Sequence, residues 1–377
     1  MLTEPIDLAH ALSPTNDSER LLFRQLLPSL IRIDCSGMVR PDLARSWSTD
    51  SEGRVLTFTL REGARMPGGT PADAFHVVSL LASSVGKSAG VDSATELGDG
   101  RLRVHVHEES GPALRLLANP ALALLDRLDS PDGGGPLNRF EIAAQDGRPL
   151  IDFQIAPNGD PRDAIDRGVD LAVTRDPAVV EYVARRGEFA TYALPWSRTY
   201  LLVQPVGARS VDGVGSVDSL RRSLARDAVQ ADARPAEYPF WSDSLMECTP
   251  VSPARSQAAS SLSPRIVYSR GDDVARGLAE RIVALAGDAG LRSASIDPDT
   301  FAAALRQGAE RGYVIAASYR PLNPCHEAAG WPAGASIQPL IDTRATAIVR
   351  RGSAPLTVDW DGTVRVVGNQ ESPGGQR

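Results

Sequence analysis

Lysine is almost missing from this chain: of 40 basic residues only Lys87 is lysine, and the rest are arginine. That usage fits GC-rich coding and excludes no function. Cysteine is scarce too. Cys35, Cys248 and Cys325 are odd in number, widely spaced and form no C-x-x-C, which excludes a disulfide framework or a zinc knuckle as a reading of the sequence and leaves the redox compartment open. No apolar run approaches the roughly 20 residues that span a bilayer. The N-terminal stretch "MLTEPIDLAHALSPTNDSER" has neither a basic n-region nor an apolar h-region, so no secretory signal is expected in it. Cys35 follows Asp34 in "RIDCS", where a lipid-anchored cysteine would follow small residues. The formal net charge is −7 and the arginines are scattered, so the basic stripe of a nucleic-acid binder is lacking. H-E-x-x-H does not occur, and the letters of G-x-S-x-G occur in Gly86-Lys87-Ser88-Ala89-Gly90 without being taken as a nucleophile turn; no catalytic residue and no metal set is assigned, no cofactor is expected, and the chain is read as a non-enzyme.

What remains is 377 residues, 42% of them hydrophobic, enough for a sizeable core and more naturally two lobes than one. Periodicity breaks at "SPDGGGPLN" (130–138), "PVGARSVDGVGS" (205–216) and "TPVSPARSQAASSLSPR" (249–265). From Arg265 the pattern reads β-α-β-α-β: "RIVYS", a helix with Val274, Leu278, Ile282 and Leu285 on one face and Gly290 as its stop, "LRSASI", a helix with Phe301 and Leu305, then "GYVIAASY". That is the signature of a parallel sheet. Residues 150–187 repeat the plan, and "FATYALPWSRTYLLVQP" (189–205) reads as two strands around a Pro-Trp corner running between the lobes. The N-terminal part differs. "SERLLFRQLLPSLIRID" places Leu21, Leu22, Leu26, Leu27 and Leu30 on a helix face, and "GRVLTFTLREG" alternates with period two, predicting a helix on a small antiparallel sheet.

"LTFTLREGARMPGGTPADAFHVV" (56–78) has the strand, glycine turn and helix of a phosphate loop, but Thr70 follows Gly69 with no lysine. Pro71 removes a helix N-terminal donor, and Thr70 with Asp73 makes a capping-box-like pair that sets a carboxylate where a phosphate would sit. It reads as a capped turn. His105 and His107 share a strand face without a third metal ligand, and "NPCHE" (323–327) clusters polar residues in a loop; neither is taken as a metal site. Aromatics are only 5% of the chain, so their grouping carries weight. Trp196, Arg198 and Tyr200 stand together in "LPWSRTY", and Tyr238, Phe240 and Trp241 in "EYPFWSD". Aromatic walls with a guanidinium suit an organic or peptide-like ligand bearing a carboxylate, and suit core and hinge packing equally.

The stretch from "ALSPTNDSERLLF" to "TPADAFHVVSLL" resembles the N-terminal signature of the family 5 extracellular solute-binding proteins, the oligopeptide-, dipeptide- and nickel-binding receptors of ABC importers. Leu43, Ala44, Ser46, Trp47, Phe58, Leu60, Arg61, Gly63, Gly69, Thr70 and Pro71 carry the match. "PRDAIDRGVDLAV", "TYLLVQP", "VDSLRRSLARDAVQ", "IVYSRGDDVARGLAERIVALAGDAGL" and "IQPLIDTRATAIVRRGSAPLTVDWDGTVRV" are similar to later family segments, so the resemblance covers nearly the whole chain. Departures are Gly68 where the family has aspartate, Met66 where it has an aromatic, and a shortened second lobe.

The resemblance implies an α/β, two-lobe periplasmic-binding fold (type II-like) with mixed sheets and hinge crossing strands. Residues 1–204, with strands 337–367 returning, would form the N-terminal lobe, 205–336 the second α/β lobe, and 368–377 a disordered tail. The implied function is capture of a peptide-like or other small organic solute by hinge closure, with an ABC permease as membrane partner. A periplasmic or cell-surface location and a monomer go with it. Expected ligand contacts are Trp196, Arg198 and Tyr200 at the crossing strands, and Tyr319, Arg320 and Asn323 at the carboxyl end of the last β-α-β strand, where open α/β sheets place ligands. The alternative is a cytoplasmic ligand sensor or adaptor that keeps the binding fold without transport, and the lack of a visible export signal favours it. An enzyme on the same two-lobe plan is the third possibility.

Overall fold

The computed structural model describes residues 1–126, 128, 137–144, 149–157, 159–204, 216–227, 232–236, 265–287, 290–307, 312–320 and 336–367. These fall into two compact units: Met1–Thr174, Val179–Tyr192 and the chain from Ala347 in one, Arg175–Ala178 and Ala193–Thr346 in the other.

In the first unit, helix α1 (Asp17–Leu26) is started by Asn16, whose side chain accepts from the Glu19 amide, and it is stopped by extended Leu27 before Pro28. Leu30 therefore lies beyond the helix, shortening the predicted span. A small ladder pairs β1 (Ile31–Ile33) with β2 (Val39–Pro41) antiparallel. Next come β3 (Ala44–Thr49), β4 (Val55–Leu60), the helices α2 (Ala74–Leu81) and α3 (Ser84–Ser88), β5 (Val91–Gly98) and β6 (Arg101–Val106). The four strands form an antiparallel sheet ordered β3-β4-β6-β5. Leu56, Phe58, Leu60, Leu102, Val104 and Val106 are buried along one face while Arg101, Arg103 and His105 are exposed on the other, the alternation the sequence predicts. Farther on are α4 (Ser110–Leu117), β7 (Arg139–Ile142), β8 (Ile151–Gln154), α5 (Pro161–Arg167), β9 (Leu171–Thr174), α6 (Pro177–Ala184) and β10 (Phe189–Ala193). The β-α-β-α elements expected over 150–187 all form, but not as one parallel sheet. β8 pairs antiparallel with β7, while β9 belongs to a separate three-stranded sheet.

The second unit is built on a six-stranded mixed sheet. Its members are β11 (Arg198–Gln204), α7 (Val217–Asp227), β12 (Ala233–Pro235), β13 (Arg265–Ser269), α8 (Asp273–Ala286), β14 (Arg292–Ile296), α9 (Pro298–Gln307), β15 (Tyr313–Tyr319) and β16 (Ser336–Thr343), in the strand order β12-β16-β11-β15-β13-β14. β13 runs parallel to both β14 and β15, as the β-α-β-α-β pattern predicts, and β11 is antiparallel to β15 and β16. From Thr199 on, β11 is buried on both faces, which is why "TYLLVQ" reads as a continuous run and not as alternation. Leu278 and Ile282 of α8 are fully buried against Tyr200, Ile266, Ile315 and Leu340, with Val274 and Leu285 at the margin. α8 ends at Gly287 with φ 61°, three residues before the predicted stop at Gly290.

The chain then returns through β17 (Thr346–Arg350), β18 (Leu356–Val358) and β19 (Val364–Val366). β17 lies between β10 and β9, and β18 and β19 form an antiparallel hairpin. The sequence reading carries the first lobe to residue 204 and returns 337–367 to it; in the structure β11 and β16 hydrogen-bond into the second unit's sheet, and the units divide at 192/193 and 346/347, with the short stretch Arg175–Ala178 also assigned to the second. The hairpin brings Asp359, Asp361 and Arg365 to α1 and β1 in a buried charge network. Arg20 and Arg24 each reach Asp361 at 2.7 Å, Arg32 lies 3.4 Å from Asp359, and Arg365 lies 3.1 Å from both Asp359 and Asp42.

Candidate functional site

Sheet register brings the candidate residues of the second unit together. Arg198 opens β11 opposite Tyr319, the last residue of β15, and opposite Thr343, the last of β16. The Arg198 guanidinium carbon stands 4.8 Å from the Tyr319 ring centroid and a guanidinium nitrogen donates to the Tyr319 hydroxyl. Another nitrogen lies 3.4 Å from the Tyr200 hydroxyl. Tyr200 is fully buried and donates at 3.0 Å to Asp272 Oδ1. Asp272 in turn caps α8 by accepting from the Ala275 amide at 2.9 Å. Burial pushes the Tyr200 hydroxyl well above its ordinary range and the Asp272 charge adds to this, against the opposing Arg198 and Arg175. The hydroxyl therefore stays a neutral donor. Arg320 follows β15 and its amide donates to the Ser197 carbonyl at 2.8 Å.

Around this group lie residues that the sequence reading did not single out. Arg175 donates to Thr343 Oγ1 at 3.2 Å and to Ser197 Oγ at 3.1 Å. Thr199 Oγ1 donates to Asp342 at 2.6 Å, and Arg234 donates to the other oxygen of the same carboxylate at 3.0 Å. The Trp196 ring has two guanidinium neighbours, Arg234 at 4.8 Å and Arg344 at 4.7 Å from its centroid, the second held by Asp232 at 2.7 Å. Trp196 is thus engaged by protein cations. Of the six expected contacts, Arg198, Tyr200, Tyr319 and Arg320 gather at the carboxyl end of β15, Trp196 sits beside them in the corner before β11, and Asn323 lies outside the described residues. Tyr238, Phe240, Trp241 and the "NPCHE" loop also lie outside them. Asp272 had a readable signal, a strand-to-helix aspartate before an apolar helix face; Arg175 had none, because its partners are more than 20 residues away in sequence.

The glycine turn before α2 is filled from within. Asp73, not Thr70, caps α2, accepting from the His76 amide at 3.1 Å. The amides of Gly68 and Thr70 donate instead to the two carboxylate oxygens of Asp126, at 2.8 and 3.3 Å. A carboxylate does occupy the place a phosphate would take, and it comes from 58 residues away. Gly86-Lys87-Ser88, which holds the chain's one lysine and gives both a Ser84-x-x-Lys87 spacing and the G-x-S-x-G letters through Gly90, falls at α3 with Leu81 where a phosphate loop has its first glycine, and the Ser88 hydroxyl is turned back onto the Ser84 and Val85 carbonyls. Among the described residues no group of three or more His, Cys, Asp or Glu side chains is arranged to hold a metal ion.

No protein-family model matches the sequence. No curated protein matches it either. Solved structures do match it. NikA from Brucella suis in complex with Fe(III)-EDTA superimposes with a TM-score of 0.64 at 14% identity, over 96% of this chain and 97% of that one. A dipeptide-binding protein from Pseudoalteromonas sp. SM9913 in complex with Met-Leu gives 0.64 at 13%, over 95% and 96%. The peptide-binding pheromone receptor PrgZ gives 0.67 at 11%, over 97% and 98%. The class of fold follows from these likenesses: the chain has the bilobed α/β architecture with mixed sheets of the periplasmic binding proteins. Within that class the fold is also that of NikA from Staphylococcus aureus in complex with Ni(L-His)2, of the Escherichia coli murein tripeptide binding protein MppA and of a periplasmic oligopeptide-binding protein from Borrelia burgdorferi.

Proposed function

We propose that this chain is the solute-binding protein of an ABC-type importer, working outside the cytoplasmic membrane and delivering a peptide-like or other small organic solute to a membrane permease. The observation that carries the reading is the meeting of Arg198, Tyr200, Tyr319 and Arg320 where β11, β15 and the capped start of α8 converge. The Arg198 guanidinium and the Tyr319 phenol hold one another across the sheet, while buried Tyr200 braces the start of α8 through Asp272, so a solute would meet a prepositioned guanidinium instead of ordering it itself. The fold likeness supports capture by closure of the two lobes, with ligand favouring the closed state through its differential affinity for it. The chain supplies the connections for such a hinge at 192/193 and 346/347, where the Leu194 amide donates to the Ala345 carbonyl at 2.9 Å.

The test is mass spectrometry of small molecules released from the purified protein, followed by thermal-shift titration of what is found. A released solute whose affinity falls roughly 10- to 100-fold in Arg198→Met, the loss of one charge-assisted hydrogen bond, is the expected result. An empty protein that no peptide or organic-acid library stabilises would overturn the reading. A solute bound equally well by the variant would remove Arg198 from the site.

A further inference from the structure

One face of the four-stranded sheet carries a row of basic side chains set out by its register. Arg101, Arg103 and His105 alternate along β6, and all three are exposed. Residues two apart on a strand share a face at a pitch of about 7 Å. The ladder sets Thr59 and Thr57 of β4 opposite Arg101 and Arg103, and Thr95 and Ser93 of β5 opposite Arg103 and His105. Short hydroxyl side chains therefore flank two guanidiniums and an imidazole. Among the described residues, the side chains of Arg101, Arg103 and His105 have no hydrogen-bond or ion-pair partner. The acids of β5 do not answer them: Glu96 is registered with buried Leu102, a position of the other face, and Asp92 sits in the bulge between Val91 and Ser93. Leu102, Val104 and Val106 are buried on that other face, so the basic row is held outward.

We propose that this face docks an extended acidic segment of a partner protein, with carboxylates on alternate residues set against Arg101, Arg103 and His105. Pitch and charge select this occupant. An extended chain with an acid at every second position repeats at about 7 Å and presents its carboxylates on one side, matching β6 position for position. Guanidiniums take carboxylates in bidentate fashion, and the flanking hydroxyls can donate to the same oxygens. No stretch of this sequence has acids at three alternate positions, so the segment belongs to another protein and not to a second copy. A net charge of −7 repels acidic partners in general, which makes a basic face without counter-charge their point of approach. A membrane surface calls for about four to eight basic residues together, and single-stranded nucleic acid for aromatic stacking partners; β6 offers two arginines and no aromatic. Addition of the segment at the sheet edge is disfavoured, because the edge strand β5 is bulged at both ends and carries Asp92 and Glu96. The proposal concerns the first unit alone and stands apart from the solute-binding reading.

The probe is a capped peptide of about ten residues alternating glutamate and threonine, labelled for fluorescence anisotropy and titrated with the protein at low ionic strength. Binding that weakens as salt is added is expected. It should fall roughly 3- to 10-fold in the double variant Arg101→Gln, Arg103→Gln, whose exposed side chains can be changed without touching the core. Reversing the charges, Arg101→Glu with Arg103→Glu, should transfer the preference to the corresponding peptide of arginine and threonine. A peptide of the same composition with its glutamates in one block should bind less tightly; equal binding would refute the pitch match. No binding of the alternating peptide, or binding that the double variant keeps in full, would overturn the proposal. So would capture by vesicles of anionic phospholipid that the double variant loses, which would assign the face to a membrane surface. Thermal stabilisation by a released solute should be the same in the double variant, and its loss there would move the effect from this face to the solute site.

Discussion

Replacing Asp361 by asparagine should be among the most damaging single-atom changes in the chain. Asp361 is 3% exposed and accepts from Arg20 and from Arg24, each at 2.7 Å. Two charge-assisted bonds at about 1.5–3 kcal/mol each set the loss at about 3–6 kcal/mol. This overlaps the ~3–5 kcal/mol typical of breaking a buried pair and leaving its partner uncompensated. For a unit of this size that is a fall in melting midpoint of about 10 °C. The effect should also depend on pH, with a defined sign. Burial alone would raise the Asp361 carboxyl, but the guanidiniums of Arg24 and Arg20 and the Thr363 amide outweigh it and hold it at about 2, below the ordinary 3.8. A carboxylate lowered by folding contributes stability that is present above the unfolded value near 4 and is lost as pH falls through the folded value near 2. The gap corresponds to about 2 kcal/mol. Asp359 runs the other way, its carboxyl raised by burial despite Arg365 and Arg24, so its contribution is lost as pH rises. The difference between the unsubstituted protein and Asp361→Asn isolates the Asp361 part. Urea unfolding of both proteins at pH 7 and at steps from pH 4.5 downward measures it. A difference under about 1 kcal/mol at pH 7, or one that stays constant as pH falls toward 2, would refute the reasoning.

Gly68→Ala should destabilise the protein by about 1–2 kcal/mol, because the new methyl would stand 2.8 Å from Asp126 Oδ2 and push the carboxylate off the Gly68 and Thr70 amides. Chemical denaturation checks this, and an unchanged midpoint would mean that Asp126 does not hold the turn. Tyr200→Phe should cost about 1–3 kcal/mol by removing the buried donor to Asp272 while that residue still caps α8, and a cost near zero would show that the Tyr200–Asp272 bond is not formed in solution.

Elements whose signals are local were legible in the sequence. The β-α-β-α-β run of the second unit formed with its predicted parallel pairing, because its apolar helix face and short strands are written within a few dozen residues. The alternation of β4 and β6 announced a half-buried antiparallel sheet for the same reason. Pairing partners were less legible. β8, α5, β9 and α6 look like a parallel unit from residue pattern alone, yet β9 takes β17, more than 170 residues later, as its neighbour. The candidate site divides along the same line. Arg198 and Tyr200 were singled out as part of an aromatic-arginine cluster, and Tyr319 as a residue at a strand's carboxyl end. Arg175 and Asp342 were not, because their roles arise from sheet register. The glycine turn shows the limit most plainly: the sequence reading put the Asp73 carboxylate there, but Asp73 caps α2 and the turn's amides bond to Asp126, 58 residues from Gly68.

The neighbouring placement of β10 and β17 has a consequence for the chain's modularity. Because these strands lie side by side, the segment 193–346 leaves and re-enters the first unit at adjacent points, as a domain inserted into a host. Joining residue 192 to residue 347 by a turn of about two to five residues would replace that insert by an ordinary strand connection. The loop-closure entropy of holding its ends together is already met by the host sheet and by the Leu194–Ala345 bond. Apart from Arg175–Ala178, the second unit is therefore a cassette, and sequence change within its sheet can proceed without disturbing the N- and C-terminal segments that lock together around Asp361.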